Sequence, residues 1–391
     1  MKKIIVIFIL SLILLVNRSV AYSKSVLGKF EILNGSYGQT AIVVNKNEIF
    51  LPVYSIGNSK ATAKILPAQI YDIKQKKFIS LNSYINYPSM GYLTVKLNDG
   101  RILIWGGKRC RTDQKEIKNN AEIYNPTTNI FKTVGPTNFW HEYHVNSNYI
   151  KLNDGKIFMI SGPRAEIFDP QTEKFYIAGE PSEYYEKSIL DRQGTEKKIK
   201  TTQNIYSHGR TALALLNDGR VLLVGANYDK KPGNAEIYDP KTNKFTKVGD
   251  QIYPRFYRDA TTLQDGRVLV TGGTGVYYGY SLNKKETTKP VVGNAEIFDP
   301  KTNTFTAIPP LKVGRSQHRS ILLSNGQVLI TGGNRGVDMD STTKDEIFDP
   351  KTSTFKTISP AKIERYAFHI EPLSNKEIFI NSYNGWEIYK Y

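Results

Sequence analysis

The stretch that decides the fold runs from Leu215 to Gly225, LLNDGRVLLVG, and continues after a variable segment with Asn234–Pro240, NAEIYDP. An apolar run that enters an Asp-Gly turn is a strong hairpin signal and predicts two antiparallel strands. Ala-Glu-Ile-Tyr predicts a third strand. The following Asp-Pro-Lys-Thr-Asn predicts another turn, because Pro fixes φ and Asn tolerates a left-handed conformation. A fourth strand then begins at Phe245, which gives a four-stranded unit.

This unit recurs along the whole chain. Its Asp-Gly-type turns fall at Lys46, Asp99, Asp154, Asp218, Asp265, Asn325 and Asn375. Seven four-stranded sheets repeated around an axis predict an all-β, seven-bladed β-propeller. The last unit stops after its third strand, at Tyr391, while Lys29–Leu33 resembles the fourth strand Lys244–Val248. We therefore expect the N-terminal strand to complete the last blade and close the ring.

The Asp-Gly-Arg-Val, Gly-Gly and Tyr/Phe-Asp-Pro pattern resembles kelch repeats, of the kind found in bacterial proteins similar to the propeller of galactose oxidase. The resemblance implies the scaffold and says little about activity, since one fold hosts many functions. That family's radical copper site needs a cysteine cross-linked to a tyrosine and a Tyr-His pair. Here Cys110 follows Gly-Gly in a variable loop and Gln317 precedes His318. We therefore expect no cofactor and no metal; histidines of neighbouring blades converging on copper or zinc are the alternative.

The N-terminus has the pattern of a targeting segment. Lys2 and Lys3 precede an apolar run, Ile4–Val16, and small residues follow at Ser19–Ala21. This pattern predicts a signal peptide over residues 1–21 and a propeller over 22–391, exported to the periplasm or the medium. An uncleaved anchor is the alternative; after cleavage no stable membrane span is expected. Cys110 is the only cysteine, so no intramolecular disulfide forms.

The charge of the chain is strongly positive. Cleavage after residue 21 lowers the formal net charge from +17 to +14. Such a charge favours an acidic partner, and we expect an anionic glycan or an extracytoplasmic protein rather than nucleic acid. The alternative is that the lysines only keep the surface soluble. We expect a monomer.

Strand direction separates the connections into two faces. Connections between blades, and those between second and third strands, share a loop face; the Asp-Gly and Asp-Pro turns share a turn face. The loop face varies from blade to blade and is where we expect function. Ten residues before the turns stand Ser36, Ser89, His144, His208, Arg255, Arg315 and Arg365. Equivalent positions should form a ring, so these residues predict a basic channel mouth that binds a ligand, with Arg258 and His318 one step deeper and Tyr257 placed to stack on a sugar. The alternative is that they are framework residues bonded to backbone carbonyls.

Two functions are compatible with these patterns. The first is a non-catalytic recognition propeller that binds a glycan or protein through the loop face and the basic mouth. The second is a carbohydrate-active enzyme, an epimerase or lyase acting on an acidic sugar. In that case His144, His208 or His318 would serve as general acid or base.

Overall fold

The computed structural model describes most of the predicted propeller. The described residues are 29–33, 41–52, 66–87, 89–90, 92–109, 120–139, 141, 149–161, 164–179, 185–190, 196–201, 211–225, 235–253, 255–275, 292–335, 340–365, 368–382 and 384–391. Within these ranges every regular element is a β-strand, and none of them holds a helix long and apolar enough to span a bilayer. The signal segment predicted over 1–21 lies outside the described residues.

Seven four-stranded antiparallel sheets form the blades, as predicted. Their strands, from the axis outward, are as follows. Blade 1 has Ile42–Asn45, Glu48–Leu51, Gln69–Asp72 and Lys77–Ser80; blade 2 has Leu93–Lys96, Ile102–Trp105, Ala121–Asn125 and Ile130–Val134. Blade 3 has Tyr149–Lys151, Ile157–Ser161, Arg164–Asp169 and Lys174–Ile177; blade 4 has Ala212–Leu215, Val221–Val224, Ala235–Asp239 and Lys244–Lys247. Blade 5 has Asp259–Thr262, Val268–Thr271, Ala295–Asp299 and Thr304–Ile308; blade 6 has Arg319–Leu322, Val328–Thr331, Glu346–Asp349 and Thr354–Thr357. Blade 7 has Phe368–Ser374, Glu377–Ser382, Gly385–Lys390 and Lys29–Leu33.

Four two-stranded ribbons accompany the blades. They pair Ser89–Met90 with Lys108–Arg109, Tyr185–Leu190 with Glu196–Thr201, Arg255–Phe256 with Thr274–Gly275, and Asn334–Arg335 with Asp340–Ser341.

The N-terminal strand closes the ring. It pairs antiparallel with the third strand of blade 7, from Lys29 opposite Lys390 to Leu33 opposite Trp386. The inner strands of blades 1 and 7 also contact each other. The closure predicted from Lys29–Leu33 is confirmed.

The core lies between the blades. Seven clusters of buried apolar side chains each combine residues of two neighbouring blades. At the closing interface Trp386 of blade 7 meets Tyr71 of blade 1 edge-on, with ring centroids 5.6 Å apart. Each buried aliphatic or aromatic side chain contributes about 1.5–3 kcal/mol. Blade-to-blade burial therefore holds the ring together.

The Gly-Gly pairs after the second strands let the next blade approach. The Gly273 amide donates to the carbonyl of Arg315 in the next blade at 2.7 Å. A Cβ on Gly272, whose φ is +58°, would lie 2.4 Å from that same carbonyl oxygen. Only glycine fits this contact, which explains the repeated pair.

Candidate functional site

The three arginines predicted to line a channel mouth are buried instead. Arg255, Arg315 and Arg365 are 0%, 0% and 1% exposed. Each pairs with a glutamate on the third strand of its own blade; for Arg315 and Glu346 the distance is 2.9 Å. The guanidinium groups of these arginines also donate hydrogen bonds to backbone carbonyls; for example, Arg315 Nη1 donates to the Gly332 carbonyl at 3.1 Å. The prediction that these arginines line a channel mouth is therefore wrong. They stabilise their own blades through buried ion pairs.

The glutamates that hold the arginines were not recognised in the sequence. Glu346 also accepts from the backbone amides of Lys312, at 2.8 Å, and Val313, at 3.1 Å. It thereby fixes the loop that leads into its blade. The available signal was a charged residue inside an apolar strand in copy after copy. Those with at most 2% exposure are Glu122, Glu166, Glu236, Glu296, Glu346 and Glu387.

The other predicted ligand residues do not share one environment. His144 and His208 lie outside the described residues. His318 is 1% exposed and its Nε2 lies 2.9 Å from Thr271 Oγ1. Arg258 is buried and donates to carbonyls of Arg255 and Val224, bridging blades 5 and 4. In blade 3 a histidine pairs with the glutamate of the third strand in place of an arginine: His141 contacts Glu166 through Nε2.

A cavity of about 190 Å³ lies on the axis at the loop-face ends of the inner strands. It is lined by Tyr149, Thr211, Ala212, Leu213, Arg258, Asp259, Arg319, Ser320, His369 and Ile370. Of the predicted ligand residues that the structure describes, only Arg258 is among them. The cavity draws on blades 3 to 7, so residues far apart in sequence meet at one place.

Three titratable side chains of this cavity share one height. Asp259, Arg319 and His369 each stand six residues before the turn of their blade. The equivalent positions that meet at this cavity therefore lie six residues before the turns, and not the ten residues from which the arginines were chosen. A comparison of the residues six positions before each turn, which lie at or near the start of the inner strand, would have picked out Asp259, Arg319 and His369.

The acidic group of the trio is Asp259, held by the neighbouring blade. Its Oδ2 accepts from the Ser320 amide at 2.6 Å and from the Ser320 hydroxyl at 3.0 Å, and its Oδ1 lies 4.0 Å from Arg319 Nη1. Burial raises the pKa of the Asp259 carboxyl despite the opposing charge of Arg319. This carboxyl is therefore a group that can take up a proton above the usual range of aspartate.

A second polar pair lies beside it in blade 7. His369 Nε2 is 3.5 Å from Glu371 Oε1, and that same oxygen accepts from the Val43 amide of blade 1 at 2.5 Å. Across the axis, burial and the charge of Glu371 raise the pKa of the Tyr149 hydroxyl, which donates to the Thr94 carbonyl at 2.7 Å. The cavity lining thus brings one acid, two arginines and an imidazole together, and Glu371 lies next to the imidazole.

Two buried polar atoms of the lining have no hydrogen-bond partner among the described residues. They are Thr211 Oγ1 and His369 Nε2. Buried polar groups are normally paired with protein or ordered water. Thr211 Oγ1 is therefore a position at which water or a ligand hydroxyl would bind, and so is His369 Nε2, which is 3.5 Å from Glu371 Oε1 but makes no hydrogen bond to it.

The comparisons agree with this architecture. No protein-family model matches the chain. A stretch of 101 residues is 27% identical to galactose oxidase of Gibberella zeae, covering 26% of this chain and 13% of that protein's length. The structure of a fungal alcohol oxidase of the AA5 family, in complex with copper, superposes with a TM-score of 0.65 at 16% identity over 93% of this chain and 76% of that one. The structure of YjhT has a TM-score of 0.52 at 15% identity over 84% and 99%.

This chain is a seven-bladed β-propeller similar to that of galactose oxidase. At such low identity the solved structures establish the fold of this galactose-oxidase-like propeller and nothing of its chemistry.

The described residues of the galactose-oxidase-like propeller do not fit copper. Within them no group of three or more His, Cys, Asp or Glu side chains could hold a metal ion. Burial, and next Arg315, Arg319 and Arg255, lower the pKa of His318 well below its usual value. The positive charges of these three arginines also disfavour a metal cation at His318. Cys110, His144 and His208 lie outside the described residues.

Proposed function

We propose that this galactose-oxidase-like propeller is an exported recognition protein that binds a sugar in the axial cavity, without turnover. The observation that carries the proposal is the cavity itself, where Asp259, Arg319 and His369 converge from three blades. Polar groups converging in a concave site are the usual mark of a small-ligand site. Export rests on the segment at residues 1–21.

The size of the cavity limits the ligand. An apolar cavity of about 150 Å³ holds a benzene molecule. The volume of about 190 Å³ found here is suited to one sugar ring rather than a chain. We therefore propose that the protein binds a monosaccharide or the terminal residue of a glycan.

The charge of the lining favours an acidic sugar. Arg319 is 13% exposed and lies on the cavity wall, and its planar fork suits a carboxylate. The hydroxyl of Thr211 and Nε2 of His369 are available to ring hydroxyls. An acidic sugar agrees with the positive charge of the whole chain.

Calorimetric titration with glucuronate, galacturonate and neutral galactose tests the proposal. We expect a uronate to bind more tightly than galactose, and Arg319→Gln to weaken uronate binding by about tenfold or more, because a charge-assisted hydrogen bond is lost. Arg220→Gln is the matched control, since Arg220 pairs with Asp218 at an exposed turn. Equal uronate affinity in Arg319→Gln and Arg220→Gln would overturn the role of the cavity.

A second candidate is an enzyme acting on an acidic sugar, and Asp259 favours it. A carboxyl with a raised pKa and an imidazole that line the same cavity are candidates for an acid and a base. NMR of uronates mixed with the protein would show new isomers or unsaturated products if turnover occurs. Loss of that turnover in Asp259→Asn with uronate binding retained would support the enzyme, and an unchanged spectrum would exclude it for these sugars.

A further inference from the structure

The turn-face end of the axial channel holds two lysines in adjacent blades. Lys96 and Lys151 each stand three residues before the turn of their blade. The Lys96 ammonium donates to the Val44 carbonyl of blade 1, and Lys151 Nζ donates to the Lys96 carbonyl at 2.9 Å. Val44 and Lys96 lie on inner strands, whose uncovered edge is the one that faces the axis, and each carbonyl accepts from a lysine of the next blade. Both ammonium groups therefore lie on the channel wall.

The framework does not need these charges. In blade 5 the equivalent residue is Thr262, whose hydroxyl donates to the Leu215 carbonyl of blade 4 at 2.7 Å. That is the same contact as the one from Lys151 to the carbonyl of Lys96, made without a charge. In blade 6 the equivalent residue is Leu322, which has no polar side chain. Two ammonium groups side by side repel each other, so their presence requires another reason.

The carboxylate whose charge acts on Lys151 is that of Glu371, and one of its oxygens already accepts a backbone hydrogen bond. Glu371 Oε1 accepts from the Val43 amide and lies 3.5 Å from His369. Burial, and next the charge of Lys96, lower the pKa of Lys151, and the charge of Glu371 acts in the opposite direction. The lysine pair thus keeps a local excess of positive charge that an anion would relieve.

Neutral polar side chains surround the lysines at the rim. The residues immediately before the turns are Asn45, Asn98, Asn153, Asn217, Gln264, Ser324 and Ser374. Asn98 Oδ1 accepts from Lys151 Nζ at 3.2 Å, and the amide nitrogen of Asn98 rests against Gly155 of the next blade. An ammonium group has three donors, so each lysine has capacity beyond the bonds described.

We propose that Lys96 and Lys151 form a second binding site, at the turn-face mouth of the channel, for a phosphate or sulfate group. Each lysine donates one hydrogen bond to the anion while its backbone contact holds it in place. The site is separate from the sugar cavity, which lies at the opposite ends of the inner strands. It does not depend on the proposed function.

Calorimetric titration with inorganic phosphate and with glucose 6-phosphate, at constant ionic strength set with chloride, tests the site. Lys151→Thr is the decisive variant, because it replaces the ammonium group with a hydroxyl that can make the contact seen for Thr262. We expect phosphate affinity to fall by about tenfold or more in Lys151→Thr. Thermal unfolding should confirm that this variant is folded, and Arg319→Gln should bind phosphate like the wild type.

The outcomes separate clearly. Tighter binding of glucose 6-phosphate identifies a sugar phosphate as the ligand class, and equal binding identifies the free ion. Phosphate binding that is undetectable in the wild type, or unchanged in a folded Lys151→Thr variant, would overturn the site. Loss in Arg319→Gln instead would place the anion in the sugar cavity.

Discussion

Replacing Glu346 with glutamine tests whether the buried arginines are framework residues. The change is nearly isosteric and leaves Arg315, 0% exposed, without its counter-charge. Breaking a buried pair by removing one partner costs about 3–5 kcal/mol, because an uncompensated charge remains. Unfolding entropy of about 2.1 cal/mol/K per residue, over roughly 360 residues, gives about 0.8 kcal/mol/K. The expected fall in Tm is then about 4–6 °C.

Glu377→Gln is the matched control for that experiment. Glu377 pairs with Lys390 at 3.3 Å, but their side chains are 30% and 47% exposed, so its loss should cost less than about 1 kcal/mol. Both variants should be compared with the wild type by calorimetry and by urea unfolding at pH 7. If Glu346→Gln and Glu377→Gln unfold within about 1 kcal/mol of each other, Arg315 does not depend on its glutamate and the framework explanation fails.

Two further predictions concern closure and pH. Leu33→Asp should destabilise the propeller by more than about 3 kcal/mol in urea unfolding, because Leu33 is only 3% exposed and lies opposite Trp386. Ile32→Asp on the same strand is the control and should cost little, because Ile32 is 47% exposed. Equal effects of the two variants would contradict the closure. Asp259 has a raised pKa in the folded state, so its contribution to stability is present below the unfolded pKa and is lost as pH rises through the folded one. The Tm of Asp259→Asn relative to wild type should therefore increase from about pH 4 to pH 7, and a difference that is flat or falls would refute the shift.

The fold was predictable because its determinants are local and repeated. Asp-Gly and Asp-Pro turns fix where each strand begins, and the copies fix the number of blades. The closing strand could be found because Lys29–Leu33 carries the Lys-Phe start of an outer strand. None of this required knowledge of side-chain partners.

The site was only partly predictable, because counting residues assumes a regular strand. The inner strand of blade 5 begins at Asp259, and between it and Arg255 lies Tyr257, with φ +57°. Gln317 occupies the same position in blade 6, with φ +56°. A left-handed residue breaks the alternation of side chains, so the arginines turn away from the axis. Their glutamate partners stand on a different strand, a pairing that no spacing rule reveals.

Ring closure by Lys29–Leu33 also sets an order of events in synthesis. This strand is made before the blades, yet its partner Gly385–Lys390 is made after them. Contacts so distant along the chain form slowly, because a very long loop must close first. A nascent chain therefore cannot close its ring until the last blade has been made, and the apolar surfaces that meet at Trp386 and Tyr71 stay uncovered until then.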